Sequence, residues 1–388
     1  MKLLHLTPYY SPAYAFGGVV RSVEGMTRAL ARRGHRVMVL TTDALDQTTR
    51  YDGPDRETLH GVEVIRVPNA SPVLRGRYNL STPQRLRKLA ESLMPEIDLL
   101  HCHEFRTVEN LIVTPVAAKA HKPILLSPHG TLDPQTGRGG LKSAWDRLLS
   151  PAVAQRIDHC IGLTAHEAES AQGLWSQFGR RQAPTGFSVV PNGVDPDDYA
   201  TLPDDRAFRE KWGLGDGPVC LFMGRLHPRK GPELLARAFL AADIPGAKLV
   251  IAGPDEGALA QIMALADDRI VITGYLDGEE RLAALAAADC FALPAVGEGL
   301  PMAILEALAA GVPVLISPEC HLPEVREHGA GLEVPVTVEA VRDALRNLLT
   351  QPEQQAAMRT AAQQLIRSHF TWDAVAAQLE SLYQQYTK

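Results

Sequence analysis

Short runs of aliphatic residues alternate along this chain with stretches whose apolar residues recur every three or four positions. The runs predict strands at Lys2–Thr7, Arg36–Thr41, Glu63–Val67, Asp98–Cys102, Pro123–Ser127 and His159–Thr164 in the first half. In the second half they predict Val219–Met223, Lys248–Ala252, Ile270–Ile272, Cys290–Leu293, Val312–Ile316 and Gly331–Val334. Helical periodicity predicts helices at Val19–Arg33, Val108–Ala120 and Lys142–Ala154. It predicts further helices at Pro232–Ala241, Ala258–Ala266, Gly278–Ala288, Met302–Ala310 and Val338–Leu349, with a Gln- and Ala-rich helical tail from Phe370 to Lys388. The strands are rich in Val, Ile and Leu without clean polar alternation, so both of their faces are expected to be buried. Strands that alternate with helices in this way form parallel sheets covered by helices.

The length, 388 residues, suits two domains at roughly 100–200 residues each. Two sheets of about six strands fit better than one sheet of twelve. The turn-forming cluster Val189-Val190-Pro191-Asn192-Gly193-Val194-Asp195-Pro196 marks the boundary. The pattern therefore predicts an α/β chain of two Rossmann-like domains. No apolar run approaches the ~18–20 residues of a membrane span, and the opening Met1-Lys2-Leu3-Leu4-His5-Leu6-Thr7-Pro8 reads as a first strand, not a secretory leader. Five scattered cysteines, Cys102, Cys160, Cys220, Cys290 and Cys320, read as free thiols in a reducing, cytoplasmic setting.

Charge changes the picture. The net charge of −6 hides 23 basic against 18 acidic residues in 1–195, and 16 against 27 in 196–388. Arg75, Arg77, Arg85, Arg87 and Lys88 cluster within the basic half. Such a half suits an acidic partner, whether a phosphorylated substrate or an anionic membrane face, or else is merely a solvated surface. Nucleic acid is disfavoured, because no binding motif accompanies the basic residues.

Ligands of open α/β sheets bind outside the carboxyl ends of the strands, and four loops there carry chemistry. Gly17-Gly18 precedes a helix, where bare backbone lets an anion approach the helix N-terminus; a tight turn is the plainer reading. His129, in Ser127-Pro128-His129-Gly130, is expected to face the crevice and to hydrogen-bond a sugar hydroxyl or move a proton. Arg225 and Lys230, in Gly224-Arg225-Leu226-His227-Pro228-Arg229-Lys230-Gly231-Pro232, would cradle a diphosphate ahead of a helix. In the fourth loop, Glu298 lies between Gly297 and Gly299. Glu306 is the only charge in an otherwise apolar helix. A buried carboxylate needs partners. The hydroxyls of a polyol or ribose would serve, and so would a structural Lys or Arg.

Other chemistries fare worse. There is no GxSxG, P-loop or HExxH pattern, and the spacing of Glu298 and Glu306 does not define a hydrolytic pair. His101-Cys102-His103-Glu104 hints at a metal, since alternate strand residues share a face, but no second ligand pair stands at a usual spacing. A crevice-facing His103 is the preferred reading, and no metal or other cofactor is expected.

Taken together these residues are similar to the group 1 (family 4) glycosyltransferases of the GT-B fold. The resemblance rests on Gly17-Gly18, His103, Ser127-Pro128-His129-Gly130, Val190-Pro191-Asn192-Gly193-Val194-Asp195, Gly224-Arg225-Leu226 with Lys230-Gly231, and the E-x7-E pair Glu298 and Glu306. It implies two domains facing each other across a cleft. An acceptor-side domain would span 1–190 and a nucleotide-sugar-binding domain 191–369, with a helix at 370–388 crossing back to the first.

It also implies retaining, metal-independent transfer of a sugar from a nucleotide-diphospho-sugar to an acceptor hydroxyl, in surface polysaccharide or other glycan synthesis. Arg225 and Lys230 would hold the donor diphosphate beside Gly224. Glu298, with backbone near Gly299 and Leu300, would bind the donor sugar. Glu306 would bind the ribose, His129 would sit near the reacting carbon, and Gly17 and Gly18 would approach the phosphates. His103 is a candidate on the acceptor side. The acceptor would be a glycan or a lipid-linked sugar, with peripheral contact to an anionic membrane. An epimerase or phosphorylase on the same fold, and a non-catalytic sugar-nucleotide binder, are the alternatives.

Overall fold

A computed structural model of the chain describes residues 1–78, 80–132, 139–178 and 186–387. The chain divides into two compact units, one formed by Met1–Gly193 with Trp372–Lys388 and the other by Val194–Thr371. Each is an α/β unit built on one sheet.

In the first unit the strands are β1 Lys2–Leu6, β2 Arg36–Thr42, β3 Arg56–Leu59, β4 Val62–Val67, β5 Leu99–His103, β6 Ile124–Ser127, β7 His159–Gly162 and β8 Gly186–Val189. Their order is β3-β4-β2-β1-β5-β6-β7-β8. All pairs are parallel except β3–β4. This sheet has two strands more than the hydrophobic runs predict. The sequence of β3, Arg56-Glu57-Thr58-Leu59, lies at the edge and alternates exposed with half-buried positions, so it has no aliphatic run to reveal it. A two-residue turn ties it to β4, with positive φ at His60 (50°) and Gly61 (83°), the geometry whose twist matches a hairpin. Strand β8 is equally short and half-exposed.

One face of this sheet packs Leu4, Leu6, Met38, Leu40, Leu100, Cys102 and Leu126 into the core. Residues of opposite parity point the other way, and there β1 and β5 carry His5, His101 and His103. The helix Trp372–Gln384 covers that side, with Val375, Leu379 and Tyr383 fully buried. It lies against the helix Gly18–Arg32, where Gly25 leaves room for the Trp372 indole and Arg33 donates to Glu380 at 2.9 Å. Asn192, in the predicted boundary cluster, accepts a 2.5 Å bond from Ser22. The stretch predicted as one helix over Lys142–Ala154 is two, Gly139–Leu148 and Ser150–Ala154. Pro151 lacks the N–H needed to continue the first and fits the opening turn of the second.

The second unit holds β9 Val219–Met223, β10 Lys248–Ala252, β11 Ile270–Gly274, β12 Cys290–Leu293, β13 Val314–Ile316 and β14 Gly331–Glu333, ordered β11-β10-β9-β12-β13-β14 and all parallel. Helices that the periodicity does not announce include Ala165–Gln177, Arg206–Trp212 and Pro352–His369. The last is 18 residues long but buries only Met358, Ala362, Leu365 and Ile366, so its apolar stripe is thin. Among the described residues no helix is long and apolar enough to cross a membrane. All five cysteines are buried and free.

A Cβ at Gly25 would lie 2.1 Å from the Trp372 Nε1. Gly25→Val should therefore cost about 1–3 kcal/mol through overpacking and loosen the last helix. Chymotrypsin should then cut near Tyr383 faster than in the unchanged protein, and the melting temperature should fall.

Candidate functional site

In both sheets the first strand is the switch point, with successive strands added first on one side and then on the other. The crevice that such a reversal opens is where α/β sheets bind ligands. In the second unit it lies between β9 and β12, and its walls are the loops that follow them.

The β9 loop leaves through Gly224, whose N–H donates to Ala252 at 2.9 Å. It then forms a short turn, Pro228–Lys230, in which the His227 ring accepts from the Arg229 N–H at 3.1 Å. Gly231 follows at φ 70° and opens the helix Pro232–Ala242. A side chain there would strike the Pro294 carbonyl, 2.3 Å from an added Cβ, so glycine lets the β9 loop run against the β12 loop. The two loops are stitched together. Val296 N–H donates to the Arg229 carbonyl at 2.7 Å, and the Arg229 guanidinium donates to the Val296 carbonyl at 3.1 Å and to that of Gly297. Glu319 holds the same loop from below through its carboxylate and carbonyl, which accept from Gly297 and Glu298 N–H at 2.9 and 3.1 Å.

At the centre Lys230 Nζ donates to Glu298 Oε2 at 2.8 Å, with the two side chains only 17% and 15% exposed. The structure thus brings together two predicted residues from separate loops. Half-buried Gly299 and buried Leu300 lead on to the helix Met302–Ala309, which starts after Pro301 without a side-chain cap. Such an N-terminus favours negative charge. Arg225 is engaged elsewhere: its Nη1 meets the Glu256 carboxylate at 2.9 and 3.1 Å, and half of its side chain is exposed.

Glu306 departs from the favoured expectation. Its Oε2 pairs with Arg281 Nη1 at 2.8 Å, and the two side chains are 7% and 15% exposed. Arg281 also donates to the Tyr199 hydroxyl at 3.2 Å. Although burial opposes its charge, Glu306 and Tyr199 raise the guanidinium pKa above its ordinary value. The carboxylate in the apolar helix is therefore compensated by a structural Arg, the alternative to ribose hydroxyls named above. Arg281 is the only basic residue of the helix Gly278–Ala287, but Glu279 and Glu280 stand beside it, so nothing local marks it as the partner of Glu306.

In the first unit Gly17, at φ 99°, opens the helix Gly18–Arg32, which also lacks a side-chain cap. His103 does not face a crevice. It is fully buried, with Nε2 2.9 Å from His5 Nδ1 and Nδ1 2.9 Å from His129 Nε2. His129 is itself only 9% exposed, in a left-handed turn with φ of 56° at His129 and 75° at Gly130. Glu167 pins that turn by accepting from Gly130 N–H, and it also accepts from Leu163 N–H at 2.7 Å. Thr164 caps the helix that carries Glu167. The T-x-x-E spacing of Thr164 and Glu167 is the sequence signal for this residue.

His101 is bound to the Tyr383 hydroxyl at 2.7 Å and to Ser127 at 2.9 Å. Among the described residues His5, His101 and His103 are the one trio spaced to hold a metal ion. Both nitrogens of His101 and of His103 already have protein partners, which favours hydrogen-bonded imidazoles over a metal centre. Of the basic cluster, Arg75 is buried and donates to the Gln47 and Thr49 carbonyls. Arg85, Arg87 and Lys88 are exposed, and the Arg77 side chain lies outside the described residues. Glu109 is a buried carboxyl that the sequence does not single out, since an acid in the first turn of a helix is ordinary. Burial pushes it up to about 7.

Arg281→Ala should cost about 3–5 kcal/mol by stranding Glu306, the usual result of removing one member of a buried pair. Glu306→Gln, which keeps a hydrogen-bonding group beside Arg281, should cost less; urea denaturation of both variants measures the difference. Burial also lowers His5 to about 3, His129 and His159 to about 4, and His101 and His103 well below 6.5. The unfolded chain takes up these protons first. Stability is therefore complete above pH 6.5 and falls as the pH drops toward 4, by about 1.4 kcal/mol per pH unit for each such histidine. Glu109 acts in the opposite sense between 7 and 4.5, as do Glu167 and Asp158, which burial also raises, but these three carboxyls stand against five histidines. Melting curves from pH 7 to 5 should fall steeply.

The profile for glycosyl transferases group 1 matches residues 204–365, and the profile for glycosyltransferase family 4 matches residues 16–198. A GDP-mannose-dependent monoacylated alpha-(1-6)-phosphatidylinositol monomannoside mannosyltransferase of Corynebacterium glutamicum is 34% identical over 364 residues, which is 90% of this chain and 89% of its own. The uncharacterized glycosyltransferase MJ1607 of Methanocaldococcus jannaschii is 26% identical over 99% of this chain and 98% of its own. Among solved structures, Anabaena Alr3699/HepE in complex with UDP and glucose shares the fold, with a TM-score of 0.76 over 99% of both chains at 19% identity.

Proposed function

This chain belongs to the GT-B glycosyltransferases of group 1 and family 4, enzymes that use nucleotide-sugar donors, and we propose that it transfers a hexose with retention of configuration and without a metal. The observation that carries this reading is the Lys230–Glu298 pair where the β9 and β12 loops meet. An ammonium beside a carboxylate suits a ligand with a phosphate next to hydroxyls. The phosphate oxygens would take over Lys230, and Glu298, released from its partner, would accept from the sugar hydroxyls. The uncapped helix start at Met302 adds its partial positive charge.

Breaking the sugar–phosphate bond leaves negative charge on the departing diphosphate. A cation and a helix dipole fixed beforehand stabilise that charge in the transition state. Arg225, displaced from Glu256, is the second candidate phosphate ligand. No side chain of the site is an evident nucleophile. The departing diphosphate itself would take the acceptor proton, which delivers the acceptor to the same face of the sugar. GDP-mannose is the first donor to try, because the Corynebacterium glutamicum relative is named for it. A glycan or lipid-linked acceptor, presented at an anionic membrane, suits exposed Arg85, Arg87 and Lys88.

The test begins with melting temperatures in GDP, UDP, GDP-mannose and UDP-glucose. The correct nucleotide at 100 times its Kd should add about 2.7 kcal/mol, and Lys230→Ala, measured against its own ligand-free melting, should lose this increment. Turnover in EDTA is then followed with free-sugar acceptors and with acceptors in neutral or anionic vesicles, and NMR reads the product anomer. Lys230→Ala should lower kcat by roughly 10²–10³. An inverted product, or full binding by Lys230→Ala, would overturn the reading.

A further inference from the structure

Two cations of the β9 loop are each paired with a carboxylate of the second unit. Lys230 donates to Glu298 at 2.8 Å, and Arg225 Nη1 donates to Glu256 Oε2 and Oε1 at 2.9 and 3.1 Å. The two cations are close neighbours. A Cβ built at Gly224 would lie 4.0 Å from Lys230 Cδ, so the lysine stem passes beside the backbone from which Arg225 departs. An anion that reaches this loop therefore meets two cations that are already occupied.

Glu256 is not a loose counter-ion. The loop after β10 that carries it is joined to the β9 loop through the backbone. Leu226 N–H donates to the Pro254 carbonyl at 2.8 Å, and Glu256 and Ala258 N–H both donate to the Leu226 carbonyl, at 3.1 and 2.9 Å. Asp255 closes the turn by accepting from Gly257 and Leu259 N–H at 2.8 and 3.1 Å. Gly253, where an added Cβ would lie 1.8 Å from the Gly224 carbonyl oxygen, lets the two loops run in contact. With its backbone held in this way, Glu256 can release Arg225 but cannot move away from it. Among the described residues neither the Glu256 carboxylate nor the Arg225 side chain has another polar partner.

The pair is open to solvent on the Arg225 side, and pairs of this kind are weak and readily exchanged. A lone phosphate that takes Arg225 gains one cation and stays beside a freed carboxylate whose charge repels it. A diphosphate exchanges for both carboxylates at once, and its second contact offsets the repulsion. We propose that Glu256 is a specificity-determining residue, a fixed internal anion that masks Arg225 and rejects single phosphates in favour of two adjacent phosphoryl groups. A built-in like charge selects by what it repels. This rests on the reading of Arg225 and Lys230 as diphosphate ligands, and it involves the second unit alone.

The test titrates the full chain with inorganic phosphate and with pyrophosphate in a calorimeter, at low salt, where such charges are least screened. Glu256→Gln keeps the shape of the side chain and removes its charge. It should tighten phosphate roughly fivefold and pyrophosphate no more than about twofold, the scale of an exposed ion pair. A gain in affinity is a result that structural damage does not produce. In the Arg225→Ala background the same substitution should change phosphate binding by less than about twofold, because the masked cation is gone. Weaker, unchanged or undetectable phosphate binding in Glu256→Gln overturns the proposal, and weaker binding of both anions makes Glu256 a brace for Arg225 instead. If Arg225→Ala binds pyrophosphate as the parent does, the reading of Arg225 as a diphosphate ligand fails, and the filter fails with it.

Discussion

An ammonium and a carboxylate held 2.8 Å apart, from loops 68 residues apart in the chain, fix the character of the second unit. Parallel strands bring both loops to the same sheet edge, and the reversal of strand order between β9 and β12 leaves them as neighbours. Gly231 permits the approach, and Arg229 and Glu319 hold the backbones in register. The pair sits at an intermediate level of exposure. More deeply buried it would be a structural bridge like Arg281–Glu306, costly to open; fully exposed, it would be screened and weak. In the reading proposed above, partial burial keeps both charges strong and leaves both open to a ligand that carries the two complementary groups.

The first unit is polar by a different means. It places histidines where aliphatic residues would be expected, on the inner face of β1 and β5. Each ring nitrogen of His5, His101 and His103 except His5 Nε2 is satisfied, by another imidazole or by hydroxyls of Ser127 and Tyr383. The directional bonds fix the last helix in rotation and register more sharply than methyl packing would. Glu167 works to the same end by pinning the left-handed turn that carries His129.

Much of this was legible in the sequence, and what escaped did so for physical reasons. Buried parallel strands announce themselves as aliphatic runs, so every strand of the second sheet was visible. The polar edge strand β3 was not, because it buries too little to need such residues. Lys230 and Glu298 stood out because charge is rare in glycine-rich loops that follow strands. Glu306 stood out correctly as a buried acid, but a sequence cannot show which distant cation faces it, and Arg281 does. His103 and His129 were read as facing a crevice because loop residues after strands usually do. Their burial follows from imidazole–imidazole pairing across neighbouring strands, which depends on register and not on any local pattern.

The return of Trp372–Lys388 to the first unit makes that unit discontinuous, with all of Val194–Thr371 inserted into it. During synthesis on the ribosome the inserted unit is complete before the first one is. Until the final helix emerges, the groove beside Gly25 and the histidine face of the sheet lack their cover. The nascent chain therefore carries an unfinished apolar and imidazole-lined surface until the helix Trp372–Gln384 has been made.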